Sequence, residues 1–484
     1  MRSETVNQVV RTVILLGLLC YFTVSLILGL LDDEHRKGLG LSSINPGEDH
    51  GIRVLLENRQ PPDPIQYWDK IDITILQPVD VVTPSYPDDP SFHLTLSSGT
   101  VHIQPDTNNG LLLSAKEWGK EYSWAVSEVR IQPAATDPVA GVLPSGARAT
   151  PGQHDPCSFE AASHDAVFAL ASSRYRGSLA VVWHSAKDLE AVNCLPMETY
   201  IEGVVAVEMS PSFPQQALKA QAIASRSYAF AHQILSAQAR REFDLTDSAD
   251  DQGYHGTGNG NDAVALAVQG TRGILMVVNH NLFFAPLFCA SDGGYTASVD
   301  DVFPGSTDVT GQYPLGLVMK SQPDPWCEKG VEALAYGSTH WEHTTTIAPR
   351  DLELGLAKLY APENRPVGFI HNLRVGKRDP KSQRVLSVKI FHTLSGDPIE
   401  MSAHSFRMLV GANVLRSTLW SAESPRRIED ADGRRNTTYE IVSTGYGHGV
   451  GMSQVSAWEM ATENYSAADI LHTFYHDIDF VTQW

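Results

Sequence analysis

The longest apolar run in the chain is TVILLGLLCYFTVSLILGLL, from Thr12 to Leu31, and it carries no charge. Twenty residues at ~1.5 Å rise match the ~30 Å hydrocarbon core of a bilayer. Arg2 and Arg11 precede the run, and Asp32, Asp33 and Glu34 follow it without a small-residue cleavage pattern. That arrangement predicts an uncleaved anchor at 12–31, a cytoplasmic N-terminus and an exported remainder. No second apolar run approaches that length, so a single-pass membrane protein is expected.

Beyond the run the pattern changes twice. Residues 35–50 are polar and glycine-rich, as in a tether. Short period-two segments follow: IRVLLEN at 52–58, IDITI at 71–75, EVRIQP at 128–133 and YRGSLAVVWH at 175–184. FHLTL and TVHI flank Ser97-Ser98-Gly99 and predict a hairpin, while 133–156, rich in Pro, Ala and Gly, predicts a loop. From Leu195 the period becomes helical. LPMETYIEGVVAVEMS predicts one helix, with Pro196 in its opening turn. PQQALKAQAIASRSYAFAHQILSAQARRE predicts a second, with Ser212 and Pro214 as its cap and first turn. Ala217, Ala220, Ala224, Ser227, Ala231 and Ile234 form its small-residue stripe, which suits a central core helix. Strand-like runs return at 273–278, 282–290 and 385–391, and ADILHTFYHDI closes the chain as a helix. The expected fold is α+β: an anchor at 1–34, a linker at 35–50, a β-rich part at 51–190 and a core of mixed strands around the alanine-rich helix at 191–484.

Charge narrows the partners. With 36 Lys+Arg against 56 Asp+Glu the net charge is −20, which repels polyanions and argues against nucleic acid. Five cysteines are too few for a disulfide scaffold. Cys20 lies in the apolar run. Export would let Cys157, Cys194, Cys289 and Cys327 form two disulfides, with connectivity left open. The alternative for Cys289 and Cys327 is a zinc site with a histidine such as His255. No other cofactor is indicated.

Three features carry candidate chemistry. In the first helix Ile201, Val204 and Val205 form an apolar stripe, and the next position on that face is Glu208. Glutamate is rarely buried unpaired. Desolvation and a nearby helix C-terminus would both raise its pKa and suit it to general-acid work. The competing role is an ion pair with Lys219 or Arg226 that joins the two helices. The second feature is GYGHGVGMSQVSAW at 445–458, whose glycines bracket His448 and precede Ser453 and Gln454. The third is CASDGGYT at 289–296, read mainly as turn chemistry.

Taken together, LPMETYIEGVVAVEMSPSFPQQALKAQAIASRSYA, SDGGYT, DPWC, FRMLVG, LRSTLW and GYGHGVGMSQVSAW closely resemble, in this order, the stage II sporulation protein D / amidase enhancer LytB (SpoIID) family. The resemblance covers about 195–484, and IRVLL at 52–56 resembles the family's first strand. It implies a peptidoglycan-directed protein. One expectation is a lytic transglycosylase that cuts MurNAc–GlcNAc bonds of peptide-free glycan strands, in sporulation or general wall turnover. The other is a non-catalytic, glycan-binding enhancer of a wall amidase. The family's essential glutamate carries over to Glu208 within VVAVEMSP, and Arg226, Tyr228, His448 and Gln454 become the candidates for sugar binding. The chain also departs from the family pattern. Cys289 and Asp292 stand where an HSxCGG-type segment has its His and Cys, and Lys381-Ser382-Gln383-Arg384 replaces an SGR-like turn. Some relatives bind zinc through Cys and His, and this altered pattern sets that site apart.

Overall fold

The computed structural model describes residues 51–484 apart from 58–67, 83–92, 107–109, 116–120, 125–127, 134–166, 186–187, 249–250, 258–261, 280–281, 337–339, 364 and 429–437. The expected anchor at 12–31, the tether at 35–50, nearly all of the 133–156 loop and Cys157 lie outside the described residues. Among the described residues no helix is long and apolar enough to cross a membrane.

Twelve strands build the first part: β1 (Gly51–Leu55), β2 (Ile71–Ile75), β3 (Val79–Val82), β4 (His93–Leu96), β5 (Gly99–Asp106), β6 (Gly110–Ala115), β7 (Glu121–Trp124), β8 (Glu128–Pro133), β9 (Phe168–Leu170), β10 (Ser173–Tyr175), β11 (Ser178–Ser185) and β12 (Asp188–Pro196). Then come helices α1 (Met197–Glu208) and α2 (Gln215–Ala239), strand β13 (Leu245–Thr246) and helix α3 (Asp262–Gln269). One sheet has the order β13-β1-β12-β11-β8-β3-β4 and a second β10-β9-β2-β5-β6-β7. Alternation drives both: in β2, Ile71, Ile73 and Ile75 are buried while Asp72 and Thr74 face water. Inward residues of both sheets, such as Val54, Ile73, Val101 and Ile131, share one core with α1, α2 and α3.

The expected hairpin at Ser97-Ser98-Gly99 does not form. β4 pairs with β3 in the first sheet and β5 with β2 in the second, so the chain crosses between sheets there. Gly99, at φ 120°, takes the turn. A period-two pattern marks which residues face inward but not which strand lies alongside.

Pro196 and Pro214 each sit just before the first helical residue, without a side-chain cap. Ser212, expected as the cap of α2, instead bonds Ser210 through their hydroxyls. The small-residue stripe of α2 is buried from Ala217 to Ala231. Small side chains let α1, α3, the strand Ile274–Val278 and the helices Gln454–Thr462 and Ala467–Phe474 approach the α2 backbone from several sides.

The apolar run at 282–290 splits into two short strands. Leu282–Phe283 pairs with Ile274–Val278, and Phe288–Cys289 runs parallel to Met452–Ser453. The latter pairing places the segment around Cys289 beside the start of the helix Gln454–Thr462. A separate core forms around Ile347, Leu356, Val388, Phe406 and Ile441. A hollow lined by Ala357, Tyr360, Ala361, Arg365, Pro366 and Val367 borders this second core and contains none of the candidate site residues.

Candidate functional site around Glu208

Glu208 is the last residue of α1, and its side chain is half-buried beside the exposed Val207. Its Oε1 accepts the Gly253 backbone N–H at 2.8 Å, and its Oε2 accepts from Gln454 Nε2 at 3.2 Å. Neither donor carries charge. Burial raises the carboxyl pKa and outweighs the lowering by these two hydrogen bonds. Gln454 also lies 3.4 Å from Gln221 Oε1, and Gln221 donates to Ser225 Oγ at 2.9 Å, both on α2. The carboxyl is therefore oriented by a neutral amide chain anchored on the central helix.

The segment carrying Gly253 is itself held closely. Asp251 accepts from Thr246 N at 2.8 Å and from Tyr228 OH at 3.1 Å, and Gln252 donates to the Ser225 carbonyl. Tyr254 donates to Asn193 Oδ1 and packs its ring 5.1 Å from that of Tyr200. Among the described residues the buried Tyr200 hydroxyl has no hydrogen-bond partner. Two glycines make the approach fit. A Cβ on Gly203 would lie 2.6 Å from both the Gly256 carbonyl and the Tyr254 ring. One on Gly253 would lie 2.8 Å from Val207 and 3.2 Å from Glu208 Oε1.

The structure brings one of the four sugar-binding candidates directly to Glu208, namely Gln454. Tyr228 acts on the Gly253 segment through Asp251, and its ring stacks on His232 at 4.3 Å. Arg226 is wholly buried and forms a two-pronged ion pair with Glu198, at 2.9 and 2.6 Å. Glu198 also accepts the Gly273 N–H and the Trp484 indole N–H. The helix-joining ion pair weighed for Glu208 exists in the fold, but Glu198 makes it. His448 accepts the Val450 N–H on Nδ1 at 3.0 Å and bonds the Phe288 backbone. Burial, with His404 and two arginines nearby, lowers its pKa to about 3, so the ring is neutral at physiological pH. It latches the glycine-rich segment to the neighbouring strand. In that segment Gly449 and Gly451 have positive φ; a Cβ would meet the Arg384 guanidinium at 2.7 Å and the Leu287 carbonyl at 1.8 Å respectively.

The sequence reading missed Gly253, Gln221 and Asp251. Gly253 lies 45 positions from Glu208, and nothing in the periodicity of α1 points to it. The QGY triplet at 252–254 was the available signal.

The cysteine expectations divide. Cys194 is disulfide-bonded. Cys289 and Cys327 are free and buried, so the second disulfide is absent. His255 is exposed and is not gathered with these thiols. Among the described residues the side chains able to hold a cation jointly are Asp292, Asp324 and Cys327. An Asp–Asp–Cys set offers two carboxylate oxygens and one thiolate, a donor mixture that zinc accepts. Phe288–Cys289 is drawn into the parallel pairing with Met452–Ser453, which leaves Cys289 outside this group.

Comparison with known proteins agrees with the family read from the motifs. The profile of the SpoIID family, described as stage II sporulation protein, matches residues 185–278, which include α1 and α2. An uncharacterised protein of Brachyspira hyodysenteriae is 29% identical over 65% of this chain and 74% of its own. The stage II sporulation protein D of Bacillus amyloliquefaciens is 29% identical over 60% of this chain and 75% of its own. The amidase enhancer of Bacillus subtilis is 25% identical over 57% of this chain but 39% of its own. With these relatives, and with its motifs in the family's order, the chain is similar to the SpoIID/LytB family over its helical core.

Proposed function

We propose that this chain is a cell-wall remodelling protein that cleaves MurNAc–GlcNAc bonds of peptide-free glycan strands as a lytic transglycosylase. One observation carries the reading: Glu208 ends its helix half-buried, with a raised pKa and two uncharged donors. A structural carboxylate in a dry setting normally has a cation, as Glu198 has in Arg226.

The protonated Glu208 gives its proton to the glycosidic oxygen as the bond from C1 to that oxygen breaks. The resulting carboxylate takes the proton of the muramyl 6-hydroxyl, whose oxygen bonds to C1 and closes a 1,6-anhydro ring. No water is consumed, and one carboxyl serves both steps, whereas most hydrolytic glycosidases need two. The longer hydrogen bond is to Oε2, which makes that oxygen the better carrier of the proton. The backbone N–H of Gly253 keeps the other oxygen in place.

The run at 12–31 would hold the protein in the membrane, with the main domain on the exported side facing the wall. The amidase-enhancer relative favours a second reading, in which Glu208 is structural and the chain binds glycan to activate a wall amidase. Digestion of purified peptide-free strands by the wild type and Glu208→Gln separates the two. Anhydro-muramyl ends from the wild type alone support the enzyme. Equal yields from both proteins refute a role for Glu208, and stimulation of an amidase without new ends selects the enhancer.

A further inference from the structure

We propose that Asp292, Asp324 and Cys327 form a zinc site that ties the segments 291–294 and 324–327 to the start of the helix Gln454–Thr462. One ligand atom from each lies within 4.8 Å of the others, as donors around a single ion would. The three residues are 0%, 5% and 0% exposed, so water cannot screen their charges from one another. Among the described residues Asp292 Oδ2 is buried with no partner outside the cluster, and the carboxyl faces Asp324 and Cys327 themselves. A carboxylate oxygen left this way beside a second carboxylate and a thiol calls for a cation.

The surroundings resemble a prepared shell. Asp292 Oδ1 accepts the Gly294 N–H at 2.8 Å, and Asp324 Oδ1 accepts the Trp326 N–H at 3.0 Å. Ser456 Oγ donates to Asp324 Oδ2, and Ser291 Oγ lies 3.2 Å from Cys327 Sγ. Hydrogen bonds of this kind orient ligands before a metal arrives. Charge is consistent with such an ion. Once deprotonated by a bound ion, two carboxylates and a thiolate would sum to −3, whereas the buried Arg384, which donates to the Asp292 and Tyr295 carbonyls, supplies only +1. A divalent ion brings the sum to zero. The single sulfur donor selects zinc over magnesium or calcium, which prefer all-oxygen shells.

The site would also bear on Glu208. Ser453 and Ser456, which face Cys327 and Asp324, flank Gln454 in the sequence. Pinning them fixes the amide that reaches Glu208.

The test is metal analysis of the full chain in detergent after dialysis against zinc chloride and gel filtration. One zinc per chain is expected, and cobalt in its place should give a thiolate-to-metal charge-transfer band. Cys289→Ser should keep both signals. Asp292→Asn should weaken zinc binding by at least about 100-fold, and Cys327→Ser should abolish the cobalt band. A wild-type chain that retains no zinc and shows no cobalt band overturns the proposal, leaving protons shared within the cluster. A band that survives Cys327→Ser overturns it as well. Both readouts on the wild type stand even where a variant fails to fold.

Discussion

Helix α1 carries a glutamate in its first turn and another at its end, and the two have opposite surroundings. Glu198 is buried against Arg226, the Gly273 N–H and the Trp484 indole, so its charge is fully answered. Among the described residues Glu208 meets a backbone N–H and a neutral amide and no cation, and burial raises its pKa. The same side chain on the same helix is a strut at one end and a candidate acid at the other. The partner decides which. A guanidinium holds a carboxyl ionised, whereas amides in a dry setting leave it able to keep and release a proton.

This contrast can be broken experimentally. Glu208→Gln is expected to lower glycan cleavage by about 100- to 10,000-fold, the usual worth of general acid catalysis, as measured by anhydro-muramyl ends. The same variant should fold at least as well as the wild type. A raised native pKa means that the stability linked to Glu208 is complete below its unfolded pKa and is lost as pH rises through the folded value. Thermal unfolding of the glutamine variant should therefore fall less on the alkaline side.

At the other end of α1, Arg226→Ala should destabilise the fold by about 3–5 kcal/mol, because it strands the buried Glu198 charge. Denaturant unfolding measures this. A small loss of stability with a large loss of cleavage would instead return Arg226 to the sugar site.

Gly203→Ala should cost about 1–3 kcal/mol, since its methyl would press into Tyr254 and Gly256. It should also reduce activity by displacing the neighbouring Gly253 N–H. Retained activity at full stability would show that this close approach is dispensable.

The smallest effect sharpens the electrostatics. Gln454→Met removes a hydrogen bond that lowers the Glu208 pKa, so that pKa should rise further. Activity requires the protonated form and falls as pH rises through the pKa. The alkaline limb of the pH–rate profile should therefore move to higher pH. A limb that stays in place would mean that another group sets it.

Much of this contrast was legible before any coordinates. The stripe Ile201–Val204–Val205 led to Glu208 because a helix repeats its faces, and all three apolar members are buried. The alanine stripe of α2 located the central helix for the same reason. The glycines of GYGHGVG marked a segment of positive φ and close contacts. What failed was pairing. The Arg226–Glu198 ion pair, the free Cys289 thiol and the crossing between sheets at Ser97–Gly99 are not legible from spacing. Each of these depends on which distant segment lies alongside.

The amino-acid sequence by itself determined the periodic faces, the strand and helix types and the acidic balance, since these follow from local spacing and composition, and its motifs carried the family resemblance. Only the tertiary structure decided that Glu198 takes Arg226, that Gly253 and Gln454 hold Glu208, and that Asp292, Asp324 and Cys327 meet. The physical reason is range. Periodicity acts over a few residues, whereas the Gln454–Glu208 hydrogen bond joins positions 246 apart. Such contacts are set by how whole elements pack.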